Sequence, residues 1–534
     1  MIELADGGDS TNVVGKANVC VPDHFCFTPG VNFFVMPLVK PSARSASSSP
    51  TRVALAGVLG DALRLSRENH LATFIENEAS PAIALFRAEH VCGNQEGDWY
   101  GEHAGKWLVA AARAAGHDPD SPLAASVRRV ADFLVQRQDA DGYSGTYAPP
   151  RRFMCRQGPA PLTWDGAPAQ RTWDIWVHSY LILGLLEAAR SLDESRYLQA
   201  AQRIGDLCWR TFHEQKISVT SLGNHHGLSA TVLIDPAMEL YFATQEPRYL
   251  ALARLILGEI ESTPALNLIE QILADTDAAN LATGKAYQLC WNLVGIAKLS
   301  RATNDARLAR AVRAAWQNIR DHHLTLGGGP WGGVAHRSRE VFNPRPAFSP
   351  QGYVETCSTL AWIQLNRELL LQTGEASFAE EIEKSAYNDL LGAQAPNGDN
   401  WCYYSFPNGR RVFTTYWRCC KSSGPMALEE LPLAACIRHR RRKHRRESLR
   451  PVRPTPFAPD RRCAFACGRK RNIPSPASCG FMFRPSSRQS LRCACAHRVG
   501  RGVSVPPWAM RRTTPRQTPR VILPSTASGL PATS

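Results

Sequence analysis

From about residue 55 to residue 390, apolar positions recur at steps of three and four. Ala104, Trp107, Leu108, Ala111 and Ala115 form one stripe, and Leu123, Val127, Val130 and Leu134 form the next. That spacing puts one apolar face on an α-helix. The intervening GHDPDSP reads as a turn, so the two stripes predict a helical hairpin.

The hairpin recurs. Arg196-Tyr197-Leu198, Arg248-Tyr249-Leu250 and Arg307-Leu308 follow similar turns, and Phe378 in TGEASFAEEIEKSAYN marks a weaker fourth copy. Separations of 52, 59 and roughly 70 residues are too loose for a tetratricopeptide array, but they suit two helices plus a variable loop. Such units close into a toroid or stack as an open solenoid. The long loops between repeats hold most of the polar-aromatic clusters and favour the toroid.

Near residue 430 the periodicity stops, and charge shows why this matters. Residues 431–534 hold 23 basic residues against Glu447 and Asp460, a net of +21, which leaves −6 for residues 1–430. The overall +15 therefore describes a mildly acidic body with a basic end. That end opens with IRHRRRKHRRESLRPVRP and continues with Ser, Pro and Arg. Arginine-rich tails bind nucleic acid, but six cysteines and words such as CGFMF do not suit such a tail, and nucleic-acid binding is not expected. A shifted reading frame or a mistaken C-terminus produces the same text. Disorder is the expectation in either case.

Composition narrows the rest. With 44% apolar and 20% charged residues the chain as a whole is not disordered, and 16 cysteines among 534 residues are too dilute for a disulfide scaffold. The N-terminus has acidic residues where a signal peptide has basic ones, and no run of 18 apolar residues follows. A cytoplasmic protein without a membrane span is expected. The organisation reads as a leader and linker over 1–54, a catalytic-type helical domain over 55–432 and an Arg/Pro/Ser-rich tail over 433–534.

Candidate chemistry concentrates in residues 326–424. Glu355, Cys357, Cys419 and Cys420 offer one carboxylate and three thiolates, a donor set that suits zinc in a tetrahedral shell. Glu355 and Cys357 are two apart and share a face if extended. Cys419 and Cys420 need a loop or bulge to turn both inward. Ordinary buried thiols and a Cys419–Cys420 disulfide remain alternative readings.

Trp99, Glu102, His103, Trp173, Asp174, Trp176, His178, His225 and His226 fall at predicted helix ends, where a toroid lines its cavity. Indoles stack on sugar faces, and carboxylates and imidazoles bind hydroxyls. Trp99, His103, Trp173, His178 and His226 are the substrate-binding candidates. Each aromatic alone also fits a core position.

Several words together resemble glycoside hydrolase family 127, whose characterised members are β-L-arabinofuranosidases, over roughly residues 55–430. They are WYGEHAGKW (99–107), DGYSGTY (141–147), LGGG (326–329), YVETC (353–357), AYNDLLGAQAPNG (386–398) and Cys419-Cys420. The resemblance implies a mainly α fold, an (α/α)6 barrel followed by β-sandwich domains. It also implies Zn2+ held by Glu355, Cys357, Cys419 and Cys420, with Cys419 as nucleophile, Glu340 as general acid/base and Tyr404 at the substrate. Without the resemblance, Glu340 reads as a surface loop carboxylate.

Two departures accompany it. Val177-His178-Ser179-Tyr180 has Val where the family's word has its first histidine, and NHHGLSATVLIDP differs from the family's histidine-glutamate word, so the sugar need not be L-arabinofuranose. Beyond residue 432 the family's β-rich region is not recognisable, and its loss is expected to expose apolar surface and invite aggregation. The expected function is a zinc-dependent retaining glycosidase on an oligosaccharide or glycoside. A carbohydrate-binding toroid with structural zinc and a helical-toroid polysaccharide lyase are the alternatives. Oligomeric state is left open.

Overall fold

The computed structural model describes residues 53–91, 99–153, 172–332, 340–343, 352–407, 409–415, 418–435, 437 and 480–481. The leader and linker, and the tail with its reading-frame, disorder and nucleic-acid expectations, fall almost entirely outside the described residues. The chain divides into units 1–484 and 485–534, and every described residue belongs to the first.

The predicted hairpins are present. Helix α1 (Gly57–Ser66) is followed by α2 (Glu102–Ala115), α3 (Pro122–Gln136), α4 (Asp174–Leu192), α5 (Ser195–Trp209) and α6 (Ile234–Thr244). Then come α7 (Pro247–Ser262), α8 (Ala286–Thr303), α9 (Ala306–His322), α10 (Thr356–Thr373), α11 (Ala376–Ser385) and α12 (Cys420–Leu428). Among the described residues α2, α4, α6, α8, α10 and α12 pack in that order, and α12 returns to α2. Helices α3, α5, α7, α9 and α11 lie outside this ring, and α1 covers α12. The result is a closed (α/α)6 barrel.

Sequence decides which helix goes where. Inner helix α8 is buried continuously from Ala286 to Ser300. Outer helix α9 buries one stripe, Leu308, Ala311, Val312, Ala315, Trp316 and Ile319, and leaves its charged face to water. Four inner helices end on a left-handed residue, Asp193, Gln245, Asn304 or Gly374, followed by one acidic residue before the next outer helix. This shared turn underlies the repeat seen in sequence. At α9 the acidic residue also caps the helix, Asp305 accepting from the amides of Arg307 and Leu308 at 2.8 and 3.1 Å. Each Arg-Tyr word leans on the preceding outer helix: the Tyr197 hydroxyl donates to Asp132 and that of Tyr249 to Asp206, both at 3.0 Å.

Helices α2 and α4 cross on a pair of glycines. A Cβ on Gly105 would stand 2.4 Å from the Tyr180 carbonyl carbon, and one on Gly184 would stand 2.7 Å from the Gly105 carbonyl oxygen. No other residue permits so close a crossing.

At the C-terminal ends of the inner helices, ion pairs run round the barrel. Arg113 meets Glu187 at 3.3 Å, Arg190 meets Glu239 at 2.6 Å, and Lys298 meets Glu239 at 2.7 Å. Arg301 meets Glu368 at 2.7 Å, while Arg367 and Arg113 converge on Glu430 at 2.9 and 2.8 Å. Glu430 lies just beyond α12 and joins the last turn of the ring to the first. Arg67, just after α1, makes a two-pronged bridge to Glu429 at 2.7 and 2.8 Å. A short helix, Leu431–Ala435, follows.

Three short strands, β1 (Trp331–Gly332), β2 (Tyr353–Glu355) and β3 (Tyr404–Ser405), form an antiparallel sheet with β2 central. Ala54–Leu55 separately pairs with Gly480–Phe481. Among the described residues no helix is long and apolar enough to cross a membrane. Among the described residues Leu326, Phe406, Val412 and Phe413 are exposed.

Candidate active site and metal centre

The cluster forms where the inner helices begin. Glu355 ends β2, and Cys357 lies in the first turn of α10. The extended segment read from sequence is therefore a strand-to-helix junction, and that junction brings the two side chains together. Cys419 is the N-cap of α12 and Cys420 its first residue, so a helix N-terminus, not a loop or bulge, turns both inward. Helix N-termini favour anions.

The donor atoms of Glu355, Cys357, Cys419 and Cys420 all lie within 4.8 Å of one another. Cys357 Sγ is 3.3 Å from Cys419 Sγ and 3.2 Å from Cys420 Sγ, and Cys419 Sγ is 4.0 Å from Glu355 Oε1. Tetrahedral zinc with bonds of about 2.3 Å sets neighbouring sulfurs about 3.8 Å apart. The Cys357 separations fall short of that, so the sulfurs would spread slightly round an ion; the four residues fit zinc in donor type and in converging on one point. Ser358 Oγ donates to Glu355 Oε2 at 2.9 Å and steadies the carboxylate.

Glu355, Cys357 and Cys420 are buried, and Cys419 is partly exposed. Hydrogen bonds from Cys357 and Cys420 hold the Cys419 thiol well below its ordinary range. Burial opposes this, and the Lys106 charge adds to it. Burial pushes the Cys357 and Cys420 thiols up. Burial, then the neighbouring charges of Glu340 and Cys419, also raises Glu355. The partly exposed sulfur is thus the one most easily ionised.

Glu340 faces this sulfur through a tyrosine. The Tyr403 hydroxyl lies 3.3 Å from Cys419 Sγ and donates to Glu340 Oε1 at 2.5 Å. Tyr404 donates to the same oxygen at 3.0 Å, and Lys285 Nζ donates to Glu340 Oε2. Glu340 is buried, which corrects the surface-loop alternative.

Sequence reasoning chose Tyr404 and missed Tyr403, which touches both proposed reacting groups. The doubled tyrosine in CYYSFP was the signal: both hydroxyls reach the same Glu340 oxygen, and only the fold shows that Tyr403 also meets the sulfur. Lys285 was also missed, as was the buried pair of Lys106 Nζ and Glu102 Oε1 at 3.0 Å. Glu102 and Lys106 are four apart in WYGEHAGKW, the spacing of a helical ion pair. Trp176 Nε1 also donates to Glu102, and burial raises that carboxyl to about 7.

The other candidates fall at varied places. His103 is buried behind the cysteines, its Nδ1 bonded to Ser422 Oγ at 2.8 Å. His178 is buried between Tyr143 and Phe153, its Nε2 accepting from the Ser144 amide at 3.2 Å, and burial lowers it to about 3. Val177, at the departure noted above, is fully buried. Trp173 is half-buried and meets Trp176 edge to face. His226 is exposed, while His225 bonds Thr283 through Nδ1 at 2.7 Å. The Trp99 side chain lies outside the described residues.

A groove of about 630 Å³ lies on the other face of the small sheet, lined by Trp331, Val354, Ser405 and Phe406 among others. It contains none of the four donor residues. Its floor is stiffened where Asp389 accepts from the Gly329 amide and from Thr325, both at 2.6 Å, joining two sequence words read separately.

Comparison with known proteins follows the same lines. No curated protein matches the chain. Among solved structures it is similar to a GH127 β-arabinofuranosidase, with 20% identity and a TM-score of 0.57 over 72% of this chain and 61% of that one. It is also similar to Ara127N-Se, a GH127 β-L-arabinofuranosidase from Geobacillus stearothermophilus T6, with 16% identity and a TM-score of 0.57 over 74% of this chain and 66% of that one. The chain thus spans less than two thirds of the length of either. At this identity the likeness concerns the fold. The family described as beta-L-arabinofuranosidase, GH127 catalytic domain, matches residues 58–432, and the chain belongs to that family.

Proposed function

We propose that the barrel is the catalytic domain of a zinc-dependent retaining glycoside hydrolase acting on β-L-arabinofuranosides or closely related furanosides. The observation that carries this reading is the four-donor cluster, in which Cys419 is the partly exposed member and Glu340 lies one tyrosine away. Glu355, Cys357, Cys419 and Cys420 would hold the ion. Bound zinc supplies a sulfur kept deprotonated at neutral pH.

The chain's own groups account for the rest. Glu340 donates a proton to the leaving oxygen as Cys419 Sγ attacks the anomeric carbon, so the C–O bond breaks and a C–S bond forms. Glu340, now a carboxylate, then takes a proton from water. The water oxygen attacks the same carbon, the C–S bond breaks, and the anomeric configuration is retained. Tyr403 spans the two reacting groups and fixes their separation.

The test uses the full chain. Purified protein should hold one zinc and release nitrophenol from nitrophenyl β-L-arabinofuranoside, with the retained anomer formed first by NMR. Cys419→Ser should abolish turnover in a folded protein. A folded wild-type protein that takes up no zinc, or a Cys419→Ser variant that remains active, would defeat the proposal.

A further inference from the structure

Glu340 is held through its backbone as well as through both carboxylate oxygens. Its carbonyl accepts from the Ala286 amide at 3.0 Å, and two residues on, the Phe342 amide donates to the Gly284 carbonyl at 2.9 Å. Between these two bonds stands Lys285, immediately before α8, whose Nζ donates to Glu340 Oε2. The tyrosines occupy the other oxygen, Oε1, on the side of Cys419. The carboxylate is therefore divided into one oxygen bound by a cation and one turned towards the sulfur.

Lys285 is 4% exposed, and burying an ammonium is costly unless an anion repays it. Glu340, Glu355 and Cys419 are the negative groups acting on it, Glu340 most strongly. An apolar side chain would fill the same space at the head of α8 without that cost. We infer that Lys285 is a positioning residue for the proposed glycosidase reaction. It fixes the plane of the Glu340 carboxyl group so that Oε1 addresses the leaving oxygen, and its charge offsets the negative charge that Glu340 acquires on giving up its proton. The inference rests on reading Glu340 as the acid/base.

The consequence is specific to the leaving group. A furanoside with an alkyl leaving group needs a proton as the C–O bond breaks, whereas a 2,4-dinitrophenyl group departs without one. Without Lys285, kcat/KM, which reports the step that breaks the C–O bond, should fall for the first class and be spared for the second. A role confined to stability would lower both alike.

The experiment compares Lys285→Met, Lys285→Arg, Glu340→Gln and the double variant Lys285→Met/Glu340→Gln, all as the full zinc-loaded chain, on alkyl and 2,4-dinitrophenyl β-L-arabinofuranosides. Lys285→Met should lower kcat/KM, which reports the first displacement, by about 10²-fold for the alkyl substrate and by less than about fivefold for the dinitrophenyl substrate. Lys285→Arg should recover most of the loss, and Lys285→Met should add nothing in the Glu340→Gln background. If Lys285→Met does not fold, Lys285→Gln, which keeps a donor but no charge, makes the same comparison. If Glu340→Gln discriminates between the substrates and the Lys285 variants lose activity equally on both, the role given to Lys285 is wrong and that of Glu340 stands. If Glu340→Gln itself shows no discrimination, the acid/base reading fails and takes this inference with it.

Discussion

Cys357 Sγ lies 3.3 Å from Cys419 Sγ, across 62 residues of sequence. One stands on α10 and the other at the start of α12, so an ion shared between them ties neighbouring inner helices. Cys357→Ala should lower zinc affinity by more than the roughly 10–100-fold typical of losing a supporting residue. Competition with a chromophoric chelator measures this, and an unchanged affinity would remove Cys357 from the ligand set. Stripping the metal from the wild type should lower its thermal midpoint in the same assay.

Tyr403→Phe removes the hydroxyl between Cys419 and Glu340 and leaves the ring in place. Turnover should fall about 10–100-fold, with zinc content unchanged. Tyr404→Phe, which touches Glu340 but not the sulfur, should cost less. Equal losses in the two variants would argue against a bridging role for Tyr403.

Glu430 makes a pH-dependent contribution whose sign is fixed. Burial alone would raise its carboxyl, but Arg113 and Arg367 pull it down to about 2 from the ordinary 4.5. A lowered folded value means that the stabilisation is complete above about pH 4.5 and is lost as pH falls towards about 2. Glu430→Gln should destabilise the barrel by about 3–5 kcal/mol near pH 7, since it leaves buried guanidinium groups short of a partner. Urea midpoints of wild type and variant should converge below pH 4.5. A gap that widens on acidification contradicts the assignment.

Gly105→Ala tests the helix crossing. The added methyl meets the Tyr180 backbone, which cannot swing away as a side chain would. A loss of about 3 kcal/mol is expected from overpacking, read by thermal unfolding. An alanine variant as stable as wild type would mean that α2 and α4 stand further apart.

Much of this was legible in the sequence. Inner and outer helices announce themselves because a fully buried helix such as α8 and a striped one such as α9 carry different patterns. The Arg-Tyr words marked outer helices because each makes the same contact to its predecessor. The four clustered donors were legible through family resemblance, since their spacing alone permitted other readings. Local geometry was harder: Cys357 and Cys420 sit in helical first turns, where an extended segment and a bulge were expected. Tyr403 and Lys285 could not be ranked from sequence, because their importance comes from the fold bringing residues 285, 340, 403 and 419 together.

The hairpin completed by α1 and α12 draws its two members from opposite ends of the barrel sequence, held by Arg67 and Glu429. Two of the four metal donors ride on the later member. During synthesis on the ribosome, helices α1 to α11 all precede the last two donors. If the four donors hold an ion, its capture would report that the circle has shut, and a nascent chain stalled before Cys419 would lack half of the donor set.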